Sequence, residues 1–183
     1  MSKYVKVMFG TTSGANNDFE YKLNEVNESN NWNPLADNPR EFGGFNYCDE
    51  TCILRWLHRG DTIYDVIIPD EAEVILCDEN KGVYRANKII VSNPRKITDN
   101  LVMDLYKKTT LSNKILADCL VTLIWKDRIE ISKYIINDMV NKNNVDEFYT
   151  EFINYSSKND FENDELKAKY KELEDMLLKI KMY

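Results

Sequence analysis

Every proline and every glycine lies within the first 98 of the chain's 183 residues. Pro34, Pro39, Pro69 and Pro94, with Gly10, Gly14, Gly43, Gly44, Gly60 and Gly82, punctuate that part, and the rest has neither residue type. Gly and Pro end or kink regular elements, so a long stretch without them suits helices and a punctuated one suits short strands and turns. The asymmetry calls for a mixed first part and a helical second part.

In the first part, residues 4–11 read as a strand closed by Thr12-Ser13-Gly14. Phe19, Tyr21 and Leu23 alternate with Glu20, Lys22 and Asn24, the period of a half-buried strand. Residues 27–44 read as a long loop holding Trp32, two prolines and a Gly-Gly pair; loops of that length in compact domains are functional more often than short ones. After a short strand at 45–48, Asp49 is placed to cap a helix through His58 that buries Ile53, Trp56 and Leu57 and stops at Gly60. Further strands are expected at 62–68, 73–77, 83–86 and 88–91.

In the second part, apolar residues recur at helical spacing in five groups. The first four are Leu101, Val102, Leu105 and Tyr106; Leu116, Cys119, Leu120 and Leu123, with Ser112 as N-cap; Ile131, Ile135 and Met139; and Val145, Phe148, Tyr149 and Phe152. The last is Leu166, Tyr170, Leu173, Leu177 and Ile180, at alternating 4,3 spacing over about two heptads. A stripe that short suits docking on the preceding helices better than a free coiled coil. The expected fold is α+β: a small mixed or antiparallel sheet with one helix over residues 1–98, then an all-helical subdomain over residues 99–183 packed on it.

Charge narrows the function. Twenty-four Lys and Arg stand against 31 Asp and Glu, a net charge of −7 with a pI near 4.9. That balance opposes phosphate backbones and anionic membranes, and leaves a basic groove on a partner open. The longest charge-free apolar stretch in the helical part, residues 119–125, is far short of the roughly 20 residues that span a bilayer. The N-terminus lacks an apolar block of signal-peptide length, so a cytoplasmic location is expected.

Catalytic and metal chemistry find little to work with. Gly10-Thr11-Thr12-Ser13-Gly14 carries three hydroxyls but neither a Walker lysine nor the dinucleotide fingerprint, and reads as a turn. Cys48 and Cys52 have no second short-spaced pair to complete a zinc tetrahedron, and Cys52 and Cys77 read as small core residues. The one histidine, His58, falls at a helix end, where it complements the dipole. Asp70, Glu71 and Glu73 follow Pro69 and read as a solvated acidic turn. Aromatic residues flank Arg40, Arg55, Arg59 and Arg85, but acidic neighbours break any continuous basic stripe, so direct nucleic-acid binding is not expected.

Three stretches carry a resemblance: Gly44-Phe45-Asn46-Tyr47-Cys48-Asp49-Glu50, the run Gly60-Asp61-Thr62-Ile63-Tyr64-Asp65-Val66-Ile67-Ile68-Pro69, and Val83-Tyr84-Arg85-Ala86-Asn87-Lys88-Ile89-Ile90-Val91. Together they resemble a module of small phage and prophage proteins and of the leading segments of giant-virus ankyrin proteins, over about residues 40–98. A more distant likeness is to small ADP-ribosyltransferase-like folds, one anti-CRISPR enzyme type among them. That family ends its first strand in Arg or His, follows it with a Ser/Tyr/Thr motif and completes the site with Glu. Here Met8-Phe9-Gly10-Thr11-Thr12 supplies no Arg or His, Asn46-Tyr47-Cys48 departs from the second motif, and Glu71 or Glu73 stands for the third.

The resemblance implies a non-catalytic phage or mobile-element interaction protein. It would inhibit a host defence complex, in the anti-CRISPR manner, by occupying a protein surface or a nucleic-acid groove. The alternative it leaves open is an ADP-ribosyltransferase-like enzyme using NAD. No cofactor and no metal are expected. The expected partner is a host protein or ribonucleoprotein complex, met by a monomer or weak dimer in the host cytoplasm. Candidate contact residues are Trp32 and Arg40 on the long loop, and Asp160, Glu162, Asp164 and Glu165 ahead of the last helix.

Overall fold

The computed structural model describes residues 3–13, 16–157 and 163–182. It is an α+β fold in two compact units, Met1–Thr109 and Thr110–Tyr183. The first holds strands β1 (Tyr4–Met8), β2 (Thr12–Ser13), β3 (Asn16–Glu20), β4 (Val26–Glu28), β5 (Phe45–Asp49), β6 (Thr62–Ile67), β7 (Val74–Asp78), β8 (Val83–Ala86) and β9 (Lys88–Lys96), with helix α1 (Asp99–Lys107). The second holds α2 (Asn113–Trp125), α3 (Ile129–Met139), α4 (Val145–Ser157) and α5 (Asp164–Met182). The change of character at residue 99 is therefore real, although α1 belongs to the sheet unit.

Seven strands form one antiparallel sheet in the order β4-β9-β6-β1-β5-β8-β7, and β2 and β3 pair separately. β1 turns into β2 through Gly10-Thr11, where Phe9 and Thr12 exchange both backbone hydrogen bonds and Gly10 sits at φ +53°. The first strand is therefore shorter than the sequence suggests, and the hydroxyl-rich segment is a hairpin turn. Val5 and Val7 of β1 face the segment that follows β5, while Met8 joins Tyr21, Phe45, Tyr47, Tyr64 and Val66 on the opposite face.

The segment after β5 is a 3₁₀ helix, Glu50–Arg59, rather than an α-helix. Asp49 stands at its N-cap position but makes no cap bond there; its carboxylate accepts instead from the Tyr84 hydroxyl at 3.3 Å. Ile53 and Leu57 are buried as expected, and Leu54 with them, while Trp56 is half-buried. Gly60 ends the helix in extended backbone at φ −179°, so left-handed freedom is not why glycine stands here. A Cβ at Gly60 would lie 2.3 Å from the Met8 carbonyl oxygen: the chain passes too close to β1 for any side chain.

Residues 21–24 do not continue a regular strand, although their alternation does place Tyr21 inward. Asn27, 3% exposed, takes the part of a ladder partner: its Oδ1 accepts from Lys22 N–H (2.8 Å) and its Nδ2 donates to Lys22 C=O (2.9 Å). β9 runs on through Pro94 because its pairing with β6 shifts register there, with Asn93 at φ +49°. A bulge takes a proline at no cost to the ladder.

In the helical unit, α2 is buried nearly all round, and α3, α4 and α5 pack against it. Leu173 and Leu177 of the α5 stripe are buried, so α5 docks on its own unit. No helix among the described residues is long and apolar enough to cross a membrane.

The seam between β1 and β5 is short. Only Tyr4↔Asp49 and Val5↔Cys48 pair, after which the strands part. Lys6, 5% exposed, fills the gap by donating from Nζ to the Asn46 carbonyl at 2.7 Å, and its ammonium lies 5.2 Å from the Tyr21 ring centre. It has no carboxylate partner among the described residues. Burial pushes the Lys6 ammonium down to about 8, with Cys48 opposing and Arg85 reinforcing. Between about 8 and its ordinary 10.5 the unfolded chain holds a proton that the folded chain has shed, so this group's contribution to stability rises with pH. Burial also raises the Cys48 thiol, which acts with the opposite sign at higher pH, so a difference measurement isolates the lysine. Relative to Lys6→Met, the wild-type chain should gain about 2 kcal/mol between pH 8 and pH 10 in urea unfolding. A pH-independent difference would show that Lys6 titrates alike in both states.

Candidate interaction surface

β7 ends the sheet and pairs only with β8. Its register shifts between Leu76 and Asp78, leaving Cys77 as the extra residue, so the regular edge is Val74–Leu76. Val74 and Leu76 are 47% and 51% exposed. Cys77 is exposed as well, contrary to its reading as a core residue: the bulge turns it out of the ladder. An apolar edge with no lysine or proline along it is a ready template for another extended chain.

Cross-strand pairing puts Leu76 opposite Tyr84 and Tyr84 opposite Tyr47. Tyr47 and Tyr84 stack at 5.4 Å between ring centres, and Tyr4 meets both edge-on at 5.2 and 5.4 Å. Tyr4 and Tyr84 are half-exposed, so the row leads across the sheet from β1 to the open edge at Leu76. Burial, then Tyr4, Tyr84 and Asp49, hold the Tyr47 phenol far above its usual range; burial and Asp49 raise Tyr84. These rings stay neutral, and large rigid aromatic rings give contact area at small cost in conformational entropy.

Charge frames the same edge. Asp70 and Glu71 precede β7 and Glu79 follows it; all three are exposed and none forms an ion pair among the described residues. Asp78 is held by Lys81 at 2.6 Å. Glu73 accepts a 2.6 Å hydrogen bond from the Trp32 indole N–H, and neither Glu71 nor Glu73 forms an ion pair among the described residues. No three His, Cys, Asp or Glu side chains among the described residues are grouped to share a metal ion.

Trp32 is half-buried beside this edge, its ring over Gly44. A Cβ at Gly44 would stand 2.6 Å from the ring, and Gly44 is at φ +68°, so only glycine serves there. Asn31 Oδ1 accepts from Gly44 N–H, and Asn33 N–H donates to Phe42 C=O, tying the two limbs of the loop together. Leu35 at its tip is 91% exposed. Arg40 lies exposed in a 3₁₀ turn, Pro39–Glu41, capped by Asn38.

The acidic candidates lie apart from that loop in sequence and unit. Asp160 and Glu162 fall outside the described residues. Asp164 and Glu165 are exposed in the first turn of α5, paired with Lys167 (3.2 Å) and Lys169 (2.6 Å) of the same helix. Neither the β7 edge nor the tyrosine row stands out in the sequence. The signal available was Val74-Ile75-Leu76-Cys77, an apolar run with no charge inside it, between two acidic clusters.

Trp32 joins loop to sheet through its ring and its N–H. Trp32→Ala should lower the unfolding free energy by about 2 kcal/mol in urea titration, and Trp32→Phe by about 1 kcal/mol through loss of the Glu73 bond and part of the ring contact. A Trp32→Ala chain as stable as wild type would mean that the ring contributes nothing to the fold.

No family model, curated protein or solved structure matches the chain, so the surface is read from its own residues.

Proposed function

We propose that the protein is a non-catalytic interaction protein that takes an extended segment of a partner along β7. The observation that carries this is the edge itself: Val74 and Leu76 exposed on a strand paired on one side only, continuous with the Tyr4–Tyr47–Tyr84 row. Backbone hydrogen bonds to the free side of Val74–Leu76 supply affinity, and alternate apolar side chains of the partner strand settle on Leu76 and the tyrosine rings. Exposed Asp70, Glu71 and Glu79 at the two ends, without an ion pair among the described residues, select a partner whose apolar segment is flanked by Lys or Arg. Trp32 and Arg40 stand on the loop next to this edge and contribute its rim.

The resemblance of residues 40–98 to phage and giant-virus modules supports the identity of that partner as a host protein or ribonucleoprotein complex, inhibited by occupation of a surface. In that setting a basic segment that normally contacts nucleic acid fits the charge requirement, and the net charge of −7 excludes it from few such partners.

Leu76→Lys and Val74→Lys put positive charge on the edge while leaving the buried core untouched. Retention of a stoichiometric host complex from lysate should fall at least tenfold in each variant, with the melting temperature within a few degrees of wild type. Retention should also weaken as salt is raised through the physiological range, where the Debye length is about 8 Å. Retention unchanged by both variants would overturn the edge. Transfer of label from NAD to host protein, abolished by Glu71→Gln or Glu73→Gln, would overturn the non-catalytic reading and favour the transferase alternative.

A further inference from the structure

Where β1 and β5 part, a cavity of about 250 Å³ opens in the sheet unit. Val5, Val7, Ile53 and Val83 give it apolar walls, and Lys6, Arg59, Arg85, Asn46, Tyr47, Cys48 and Trp56 complete the lining. Three cations line it and no carboxylate does. Arg85 is aimed by hydrogen bonds from Nε to Asn46 Oδ1 (2.8 Å) and from a terminal nitrogen to Gly43 C=O (3.3 Å), and neither acceptor neutralises it. Lys6 has only a backbone carbonyl and a ring face. Arg59 makes no ion pair among the described residues, and the Trp56 indole N–H is buried with no acceptor.

Buried cations are ordinarily paired, and buried donors ordinarily satisfied, because leaving either alone costs free energy. Here buried Lys6, half-buried Arg85, exposed Arg59 and one orphaned buried donor meet at one apolar-walled space. Ligand cavities combine apolar walls with a few polar groups that fix orientation, and this one is smaller than the roughly 300–1,000 Å³ typical of drug-sized ligands.

We propose that this cavity binds a small anion carrying a single planar ring, an aromatic carboxylate or an aromatic phosphate ester, held by Lys6, Arg59 and Arg85 through its anionic oxygens. The ring lies against the valines and Trp56, and the indole N–H gains an acceptor. Arg85 is the fixed member of the set, Lys6 the buried one, and exposed Arg59 guards the mouth. Occupation joins β1 to β5 where the ladder does not, so a bound ligand also stiffens the seam. The site does not depend on β7 and stands whether or not that edge docks a partner.

Calorimetric titration of the full chain with benzoate, phenyl phosphate, inorganic phosphate and neutral benzamide tests it. Benzoate or phenyl phosphate should bind saturably, at least tenfold more tightly than benzamide and than inorganic phosphate, and whichever is tighter identifies carboxylate or phosphate as the anionic group. Arg59→Gln, at an exposed position, should weaken that binding at least fivefold, and Lys6→Met should remove it. If Lys6→Met fails to fold, Arg59→Gln alone decides. No saturable binding, equal binding of benzamide, inorganic phosphate as tight as the ring-bearing anions, or binding indifferent to Arg59→Gln would each overturn the proposal.

Discussion

Two residue pairs hold the sheet together at its middle. On one side of the β1–β5 seam stand β4, β9, β6 and β1, each joined to its neighbour by three or more Cα pairs; on the other stand β5, β8 and β7. Between them run only Tyr4↔Asp49 and Val5↔Cys48. The rest of the join is made by side chains and one further backbone bond. Lys6 reaches the Asn46 carbonyl, and the Lys3 carbonyl accepts from the Glu50 N–H. Glu50 also meets Arg95 at 3.2 Å, and Arg95 meets Asp65 at 2.8 Å, which carries the tie from the start of the 3₁₀ helix through β9 to β6. Burial works against the Asp65 carboxylate, yet Asn93, Lys3 and Arg95 bring it below its ordinary range. A network of this kind, partly buried and many-membered, is worth more than isolated surface pairs. The cavity opens where this seam stops.

Those features were also the least legible in the sequence. Strands β5, β6 and β8 show themselves through β-branched and aromatic runs bounded by Gly and Pro, and the helices through 3.6-residue periodicity with no breakers at all. Those signals are local, and local signals survive in a single sequence. The splay of β1 from β5 is not local. Tyr4-Val5-Lys6-Val7-Met8 alternates like any half-buried strand with a solvent-facing lysine, and nothing within five residues says that Lys6 is buried. Its partner is a carbonyl forty residues away. The same holds for Asn27, whose amide replaces a strand partner for Lys22 and closes what alternation alone marks as a continuing strand. For the 50–59 segment the spacing places Ile53 and Leu57 inward, as found, but Trp56 is only half-buried, the winding is 3₁₀, and Asp49 meets Tyr84 instead of the first turn.

Charge is distributed in a way that bears on which acids are available to a partner. In the helical unit most acidic side chains near α5 are already paired. Lys133 bridges Glu130 and Glu172, Lys169 bridges Asp127 and Glu165, Lys171 takes Glu174 and Asp175, and Lys181 takes Asp146. These exposed pairs contribute little each to stability, but they cancel the local field that a basic partner would feel. Asp164 and Glu165 are in that company, with lysines one turn away. Around β7 the balance is reversed: Asp70, Glu71 and Glu79 are exposed and form no ion pair among the described residues, and the apolar edge lies between them. An interaction driven by charge and finished by apolar contact needs both in one place. The residues at the ends of β7 meet that requirement within a single strand and its two turns, whereas the start of α5 offers acid that its own lysines have largely neutralised.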